Sequence, residues 1–346
     1  MSNPDARVKV LRVPDQYNPT MRMRRIISRW AGRVVFYVPT ASKTMSVSFD
    51  DGPTSPCTGR VLDVLDKHNV KATFFMMGRC VERDPALARE VAARGHTVGS
   101  HSHYHQGMGM FSEADAEEAI KRSRNLIVDA TGQDTHLFRP PYGAMNDEVR
   151  AACVKNGIVV AGWTFSSGDW YGYGQPRIAS RMAKMVCPGT ILLFHDGDKG
   201  RRGADRPMTP GGLDQTLDFL LSEGWSCVDI PCLLDEWSKP MCDFGSDALL
   251  LGMSSNPCPG GEPGVDVHLF WDTPKKPPRA YSVSIGGTSQ TAMMPDPNDL
   301  EHRASTLYFR DVSREADAVQ VRVSVSGLGT HESTLQVNQA EVSRRV

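Results

Sequence analysis

Nothing in this sequence supplies the ~20 consecutive apolar residues that a membrane-spanning helix needs. The nearest candidate, 26–38, is interrupted by Arg29, Trp30 and Arg33. The stretch from Met1 to about Arg25 also lacks the continuous apolar core of a signal peptide, and instead carries Pro4, Pro14, Pro19 and several charges. With neither feature, the expected location is the cytoplasm. An excess of charge of one sign is missing too. The 39 Lys and Arg nearly balance the 40 Asp and Glu, for a formal net charge of -1. Nucleic acid and other polyanions therefore find no electrostatic footprint. The eight cysteines form no CxxC pair and no zinc-knuckle spacing. Their dilution through the chain reads as reduced thiols. A disulfide is conceivable only among Cys232, Cys242 and Cys258, which fall in a Pro/Gly-rich stretch. Internal repeats and low-complexity tracts are absent.

What is present is an ordinary globular composition, 40% hydrophobic and 23% charged, in 346 residues. That is enough for one large domain and a small one, with a core that needs no disulfide or metal to fold. From Thr44 to about Trp237, β-rich runs alternate with helical patterns, as parallel strands joined by crossover helices do. Seven runs read as strands: Met45–Phe49, Val70–Met77, His96–Ser100, His136–Arg139, Ile158–Thr164, Thr190–His195 and Ser226–Ile230. Between them, Asp84-Pro85 starts a helix that Gly95 closes, Ser112 and Asp115 start another that ends before Gly132, and Asn146 opens a third that Gly157 stops. Seven strands with intervening helices suggest a barrel-like α/β domain, with closure left open. In such barrels the chemistry gathers on the loops after the strands' C-terminal ends. Residues 238–264 are rich in Pro and Gly and read as a linker, with 1–43 as an N-terminal extension and 44–237 as the main domain. Beyond the linker, 265–346 shows strand-like alternation and no convincing helix, which fits a small β-sandwich.

Polar residues sit where the strands end. Asp50 and Asp51 follow the first run, His101 the third, Arg139 ends the fourth, Asp169 lies past the fifth and His195 ends the sixth. Consecutive strand side chains alternate, so one of the paired carboxylates can face a cation while the other faces substrate; Asp-Asp-Gly-Pro is also good turn chemistry by itself. His101 and His105 are four apart and would share a face of a helical turn, as a metal pair does. Three histidines in five positions, from ten in the chain, favour metal over accident. Two histidines and a carboxylate leave coordination positions open, as a catalytic site requires. His103, two residues along, is expected at the pocket wall or behind the ligands. His195 follows an apolar strand, where a packed core role competes with that of a general acid. Asp169-Trp170 reads either as a surface turn among glycines or as a carboxylate that orients a histidine beside an aromatic wall.

Together these residues resemble the polysaccharide deacetylases of carbohydrate esterase family four, the NodB-homology group, over Thr44 to about Leu234. Ser48-Phe49-Asp50-Asp51-Gly52-Pro53, His101-Ser102-His103-Tyr104-His105, Arg139-Pro140-Pro141-Tyr142, Asp169-Trp170 and Leu193-Phe194-His195 are similar to the family's five motifs, in order. The resemblance implies a distorted (β/α)7 barrel, here with a small C-terminal β-rich domain. It implies Asp51, His101 and His105 as ligands of one divalent ion, zinc first, with cobalt, nickel or manganese as alternatives. Asp50 would be the base, held by Arg139, and His195 the acid, oriented by Asp169. The Tyr142 N–H would stabilise the oxyanion, and Trp170 and Leu193 would line the acetyl pocket. The implied reaction is hydrolysis of N-acetyl groups on chitin- or peptidoglycan-type sugars by a metal-activated water. O-acetyl xylan, small cyclic amides and non-catalytic carbohydrate binding are the alternatives. Ser166 departs from the family's fourth motif, which has aspartate there. The C-terminal region lies outside the resemblance and is expected to bind carbohydrate or another protein.

Overall fold

The computed structural model describes residues 43–235 except 187, short pieces between 26 and 40, and strand segments between 242 and 336. Its first region runs β1 (Val34–Val35), β2 (Thr44–Asp50), α1 (Cys57–Lys67), β3 (Thr73–Met76), α2 (Gly78–Arg83), α3 (Pro85–Ala93), β4 (Thr97–Ser100), α4 (Glu113–Thr131) and β5 (Leu137–Phe138). It continues with α5 (Asp147–Lys155), β6 (Val159–Ala161), β7 (Phe165–Ser166), α6 (Gln175–Met185), β8 (Ile191–His195), α7 (Met208–Ser222), β9 (Ser226–Val228) and α8 (Ile230–Asp235). The strands form one parallel sheet in the order β1-β6-β5-β4-β3-β2-β8-β7, with β9 pairing to the first half of β2. Among the described residues no strand pairing closes β1 onto β7, so the sheet curls as an incomplete barrel; just past β1, the Phe36 carbonyl accepts the Thr164 hydroxyl beside β7 and the Val38 N–H donates to the Gly189 carbonyl.

The capping residues act as the sequence signals. Asp84 accepts the Leu87 N–H with Pro85 in the first turn, Ser112 accepts the Asp115 N–H, and Asn146 accepts the Val149 N–H. Every residue of β2 is buried: Met45, Val47 and Phe49 lie in the main core, and the alternate residues face the inside of the curled sheet. Phe49 lies in the main core, its ring 4.8 Å from Phe74 and 5.9 Å from Phe194. Phe49→Ala is expected to lower the unfolding free energy by about 3–5 kcal/mol in denaturant titration. A change under about 1 kcal/mol would mean that the ring is not a packing element.

The sheet has nine strands, two more than the sequence suggests. β1 lies inside the stretch read as an N-terminal extension; two residues are too few to show a period. The second extra strand, β7, lies just past the run 158–164, whose own strand β6 ends at Ala161, where the carbonyls of Ala161 and Gly162 accept the Arg139 guanidinium; β7 pairs instead with β8.

The C-terminal region contains β10 (Cys242–Asp243), β11 (Ala248–Ser254), β12 (Val265–Asp272), β13 (Ala280–Ile285), β14 (Thr288–Met293), β15 (Ala304–Phe309), β16 (Ala318–Val325) and β17 (Gly329–Gln336). They make two antiparallel four-stranded sheets, β10-β11-β12-β15 and β14-β13-β16-β17. Val283 and Ile285, two apart on β13, are both buried, as strand alternation requires. The segment 238–264 is therefore not simply a linker. It carries β10 and β11, and β11 pairs with β12 along its whole length. Its four consecutive apolar residues, 248–251, sit between turn-rich stretches and show no alternation. Cys57, Cys80, Cys153 and Cys227 are free thiols. The disulfide considered among Cys232, Cys242 and Cys258 falls on Cys258 and the Cys242 side chain, outside the described residues.

Candidate active site

The C-terminal ends of β2, β4, β5 and β8 bring most of the sequence-identified residues to one mouth. Asp50 and His195 are direct register partners on β2 and β8. Arg139, fully buried just after β5, donates from Nη1 to Asp50 Oδ1 at 2.7 Å and from Nε and Nη2 to the carbonyls of Ala161 and Gly162. Its guanidinium also lies over the Phe75 ring at 4.1 Å. Three acceptors thus fix a cation that would be costly to bury alone.

His101 Nδ1 meets the Arg139 carbonyl at 2.7 Å. A carbonyl only accepts, so Nδ1 carries the proton and Nε2 presents its lone pair. That Nε2 is 3.7 Å from Asp51 Oδ1, and His105 Nε2 is 3.2 Å from the same oxygen. The ligand atoms of Asp51, His101 and His105 all lie within 4.8 Å of one another. Asp51 Oδ1 is buried and accepts no hydrogen bond from the described residues, an orphaned oxygen aimed at the point where a cation would sit. Burial depresses His101 below the ordinary imidazole value despite Asp50 and Asp51, which favours the neutral form a ligand needs. Burial opposes the charge on Asp51, but the adjacent His105 imidazole and the nearby His195 and His101 outweigh it and hold the carboxyl below the usual range. The residues fit a divalent cation.

The local backbone differs from the helical turn read from the His101–His105 spacing. No helix forms there. Ser102 and His105 both take positive φ, 59° and 58°, and this loop folds the two imidazoles to ring centroids 5.0 Å apart. His103 is not at the pocket wall. It packs against Gly78 at the start of α2, with Nε2 3.5 Å from Glu82.

Across the mouth, His195 Nδ1 lies 2.9 Å from Asp169 Oδ1, while Asp169 Oδ2 accepts the His195 N–H and the Thr209 hydroxyl. Burial works against the imidazolium, yet the Asp169 carboxylate outweighs it and raises His195 to about 9. Burial likewise opposes the charge on Asp169, but the His195 cation and hydrogen bonds from His195 and Thr209 keep its carboxyl low. Trp170 stands edge-on to His195 at 4.9 Å. Leu193 is buried on β8, and Tyr142, at φ 58°, places its ring 4.6 Å from His105. Ser166, where the family has aspartate, closes the loop locally by accepting the Gly168 N–H.

Sequence reasoning gave no role to Asp196, Thr58, Lys199 or Thr209. Asp196 sits behind the turn that carries Asp51, where burial and the nearby Asp51 and Asp50 push it up to about 7 against the Thr58 hydrogen bond. Its only sequence signal is a second charge directly after His195. Among the described residues one other trio, His68, Asp214 and Asp218, brings ligand-type atoms together. Lys67 Nζ lies 2.6 Å from Asp214 there, so this is an ion-pair network. No helix of the described residues is long and apolar enough to cross a membrane.

The family model for polysaccharide deacetylase matches residues 37–161. A chitooligosaccharide deacetylase from Rhizobium leguminosarum bv. trifolii is 35% identical over 196 residues, 55% of this chain and 91% of the relative. The peptidoglycan-N-acetylglucosamine deacetylase PgdA of Listeria monocytogenes is 35% identical over 201 residues, 58% of this chain; the chain spans only 41% of that relative's length. A solved peptidoglycan N-acetylglucosamine deacetylase, crystallised with a substituted benzamide, superposes with a TM-score of 0.56 at 26% identity, covering 62% of this chain and 97% of the other.

Proposed function

Because this chain belongs to the polysaccharide deacetylase family, we propose that it is a metal-dependent hydrolase removing N-acetyl groups from amino-sugar oligomers or polymers of the chitin or peptidoglycan type. The observation that carries the reading is the meeting of three groups at one mouth: the Asp51–His101–His105 trio, Asp50 held by Arg139, and His195 held by Asp169.

Asp51, His101 and His105 would hold the ion, and their N and O donors suit zinc, with cobalt, nickel or manganese as alternatives. When bound, the cation supplies Lewis-acid charge next to the acetyl carbonyl and makes a nearby water more acidic. The rest falls to the protein. Arg139 holds one oxygen of Asp50, leaving Oδ2 to take the proton of the attacking water. An amide nitrogen leaves poorly unless protonated, and the raised His195 is a donor at neutral pH. Asp169 fixes its tautomer, so Nε2 faces the leaving group. The Tyr142 N–H would meet the oxyanion, and Trp170 and Leu193 would bound the methyl group. On this reading the C-terminal sheets, outside the matched stretch, bind carbohydrate or another protein.

The test is acetate release from N-acetylglucosamine oligomers by the zinc-loaded protein, beside a chelated sample and His101→Ala. Acetate is expected from the loaded protein alone. Equal release from the chelated sample would refute the metal reading, and zinc binding without release would direct the search to xylan esters and small cyclic amides.

A further inference from the structure

Asp196 takes no part in the chemistry above, yet it is 1% exposed and lies against the turn that carries Asp51. Its Oδ2 accepts the Thr58 hydroxyl at 2.6 Å, and the Thr58 oxygen in turn accepts the Thr54 N–H at 2.8 Å. The carboxyl occupies the space where a Cβ on residue 52 would fall, so only glycine fits there. From this anchor the chain makes three approaches to the ligand turn. The Asp196 N–H donates to the Asp50 carbonyl at 3.1 Å. Gly197 comes so close to the Asp51 carbonyl that a side chain would collide with it. The Lys199 N–H donates to Asp51 Oδ2 at 2.9 Å.

The last contact divides the labour of the Asp51 carboxylate. Oδ2 is held by a backbone amide, while Oδ1 is left bare beside the Nε2 atoms of His101 and His105. Both residues of this pair sit at positive φ, 78° for Asp51 and 46° for Lys199, in a region that persists only where the surroundings enforce it. We propose that Asp196 is a positioning residue for the metal site: through Thr58 it anchors the 196–199 loop, whose Lys199 amide aims Oδ1 of Asp51 at the cation. Partners behind metal ligands set ligand orientation and affinity in this way.

The inference rests on the metal reading, so the experiment separates the two. Zinc affinity is measured by competition with a chromophoric chelator, without substrate, for the intact protein and for His101→Ala, Asp196→Ala, Asp196→Asn and Thr58→Val. Cobalt-loaded samples are recorded in the visible range. His101→Ala is expected to lose tight binding. Asp196→Ala is expected to weaken binding about 10- to 100-fold and to alter the cobalt bands. Asp196→Asn, which keeps an oxygen for the Thr58 hydroxyl, restores affinity and spectrum. Thr58→Val, which keeps the shape of the side chain, weakens binding about fivefold and stands in if Asp196→Ala does not fold. Wild-type affinity in Asp196→Ala beside a defective His101→Ala overturns the positioning role alone. Equal losses in Asp196→Ala and Asp196→Asn overturn the Thr58 anchor. Indifference of zinc binding to His101→Ala would sink the metal reading, and this inference with it.

Discussion

Asp50→Asn is expected to lower kcat/KM on N-acetylglucosamine oligomers by about two to four orders of magnitude, while zinc still binds. The asparagine oxygen can accept the Arg139 Nη1 hydrogen bond that Asp50 Oδ1 accepts now. Packing and fold are therefore kept, and what disappears is a group able to receive a proton. The contrast is with the other end of the pair. Truncating Arg139 would leave a buried carboxylate and two carbonyls without their donor, so folding and chemistry would fail together. Asp50→Asn isolates the chemical role. Steady-state acetate release and zinc titration on the same sample check it, and a variant that kept a tenth or more of wild-type activity would remove Asp50 from the role of base.

The second large effect concerns pH. In the wild type His195 is raised to about 9, so the imidazolium is present through neutrality and is lost as pH rises through about 9. Activity should fall on that basic limb. Asp169→Asn keeps an acceptor for Nδ1 and removes the charge that opposes burial. The basic limb should then move down to about 6.5 or lower, the ordinary imidazole range or below it. At pH 8 the variant should lose about 10²- to 10⁴-fold, and it should recover part of that loss as the pH is lowered toward 6. A limb that stayed near 9 in Asp169→Asn would show that another group sets it.

The residues of the site were legible because they stand at strand ends, a position that apolar runs mark clearly. The parallel α/β character came from the same alternation; β3, β4 and β8 lie within the runs read from it, and β2 exceeds its run by one residue at each end. Less legible was whatever depends on distant partners. β7 is two residues long and pairs with β8 rather than with β6, its neighbour in sequence, which no local period can show. His101 and His105 do lie side by side, but their convergence comes from two left-handed residues rather than a helical face. Asp196 touches Thr58 across 138 positions of sequence, so its place behind Asp51 is visible only once the loop is folded. β10 and β11 escaped notice because Pro and Gly dominate their surroundings and outweigh a short apolar run.

The pairing of Asp50 with His195 across β2 and β8 has a bearing on evolution. Side chains alternate along a strand, so a one-residue slip of either strand would turn its phenylalanine, Phe49 or Phe194, out of the main core and carry Asp50 and His195 out of alignment. The slip that dismantles the reaction centre is also the slip that empties the core. Selection for folding would thus guard the spacing of the two groups proposed to handle protons. Exposed side chains on the surrounding loops, such as Tyr171, are under no such constraint and can change without moving the two groups.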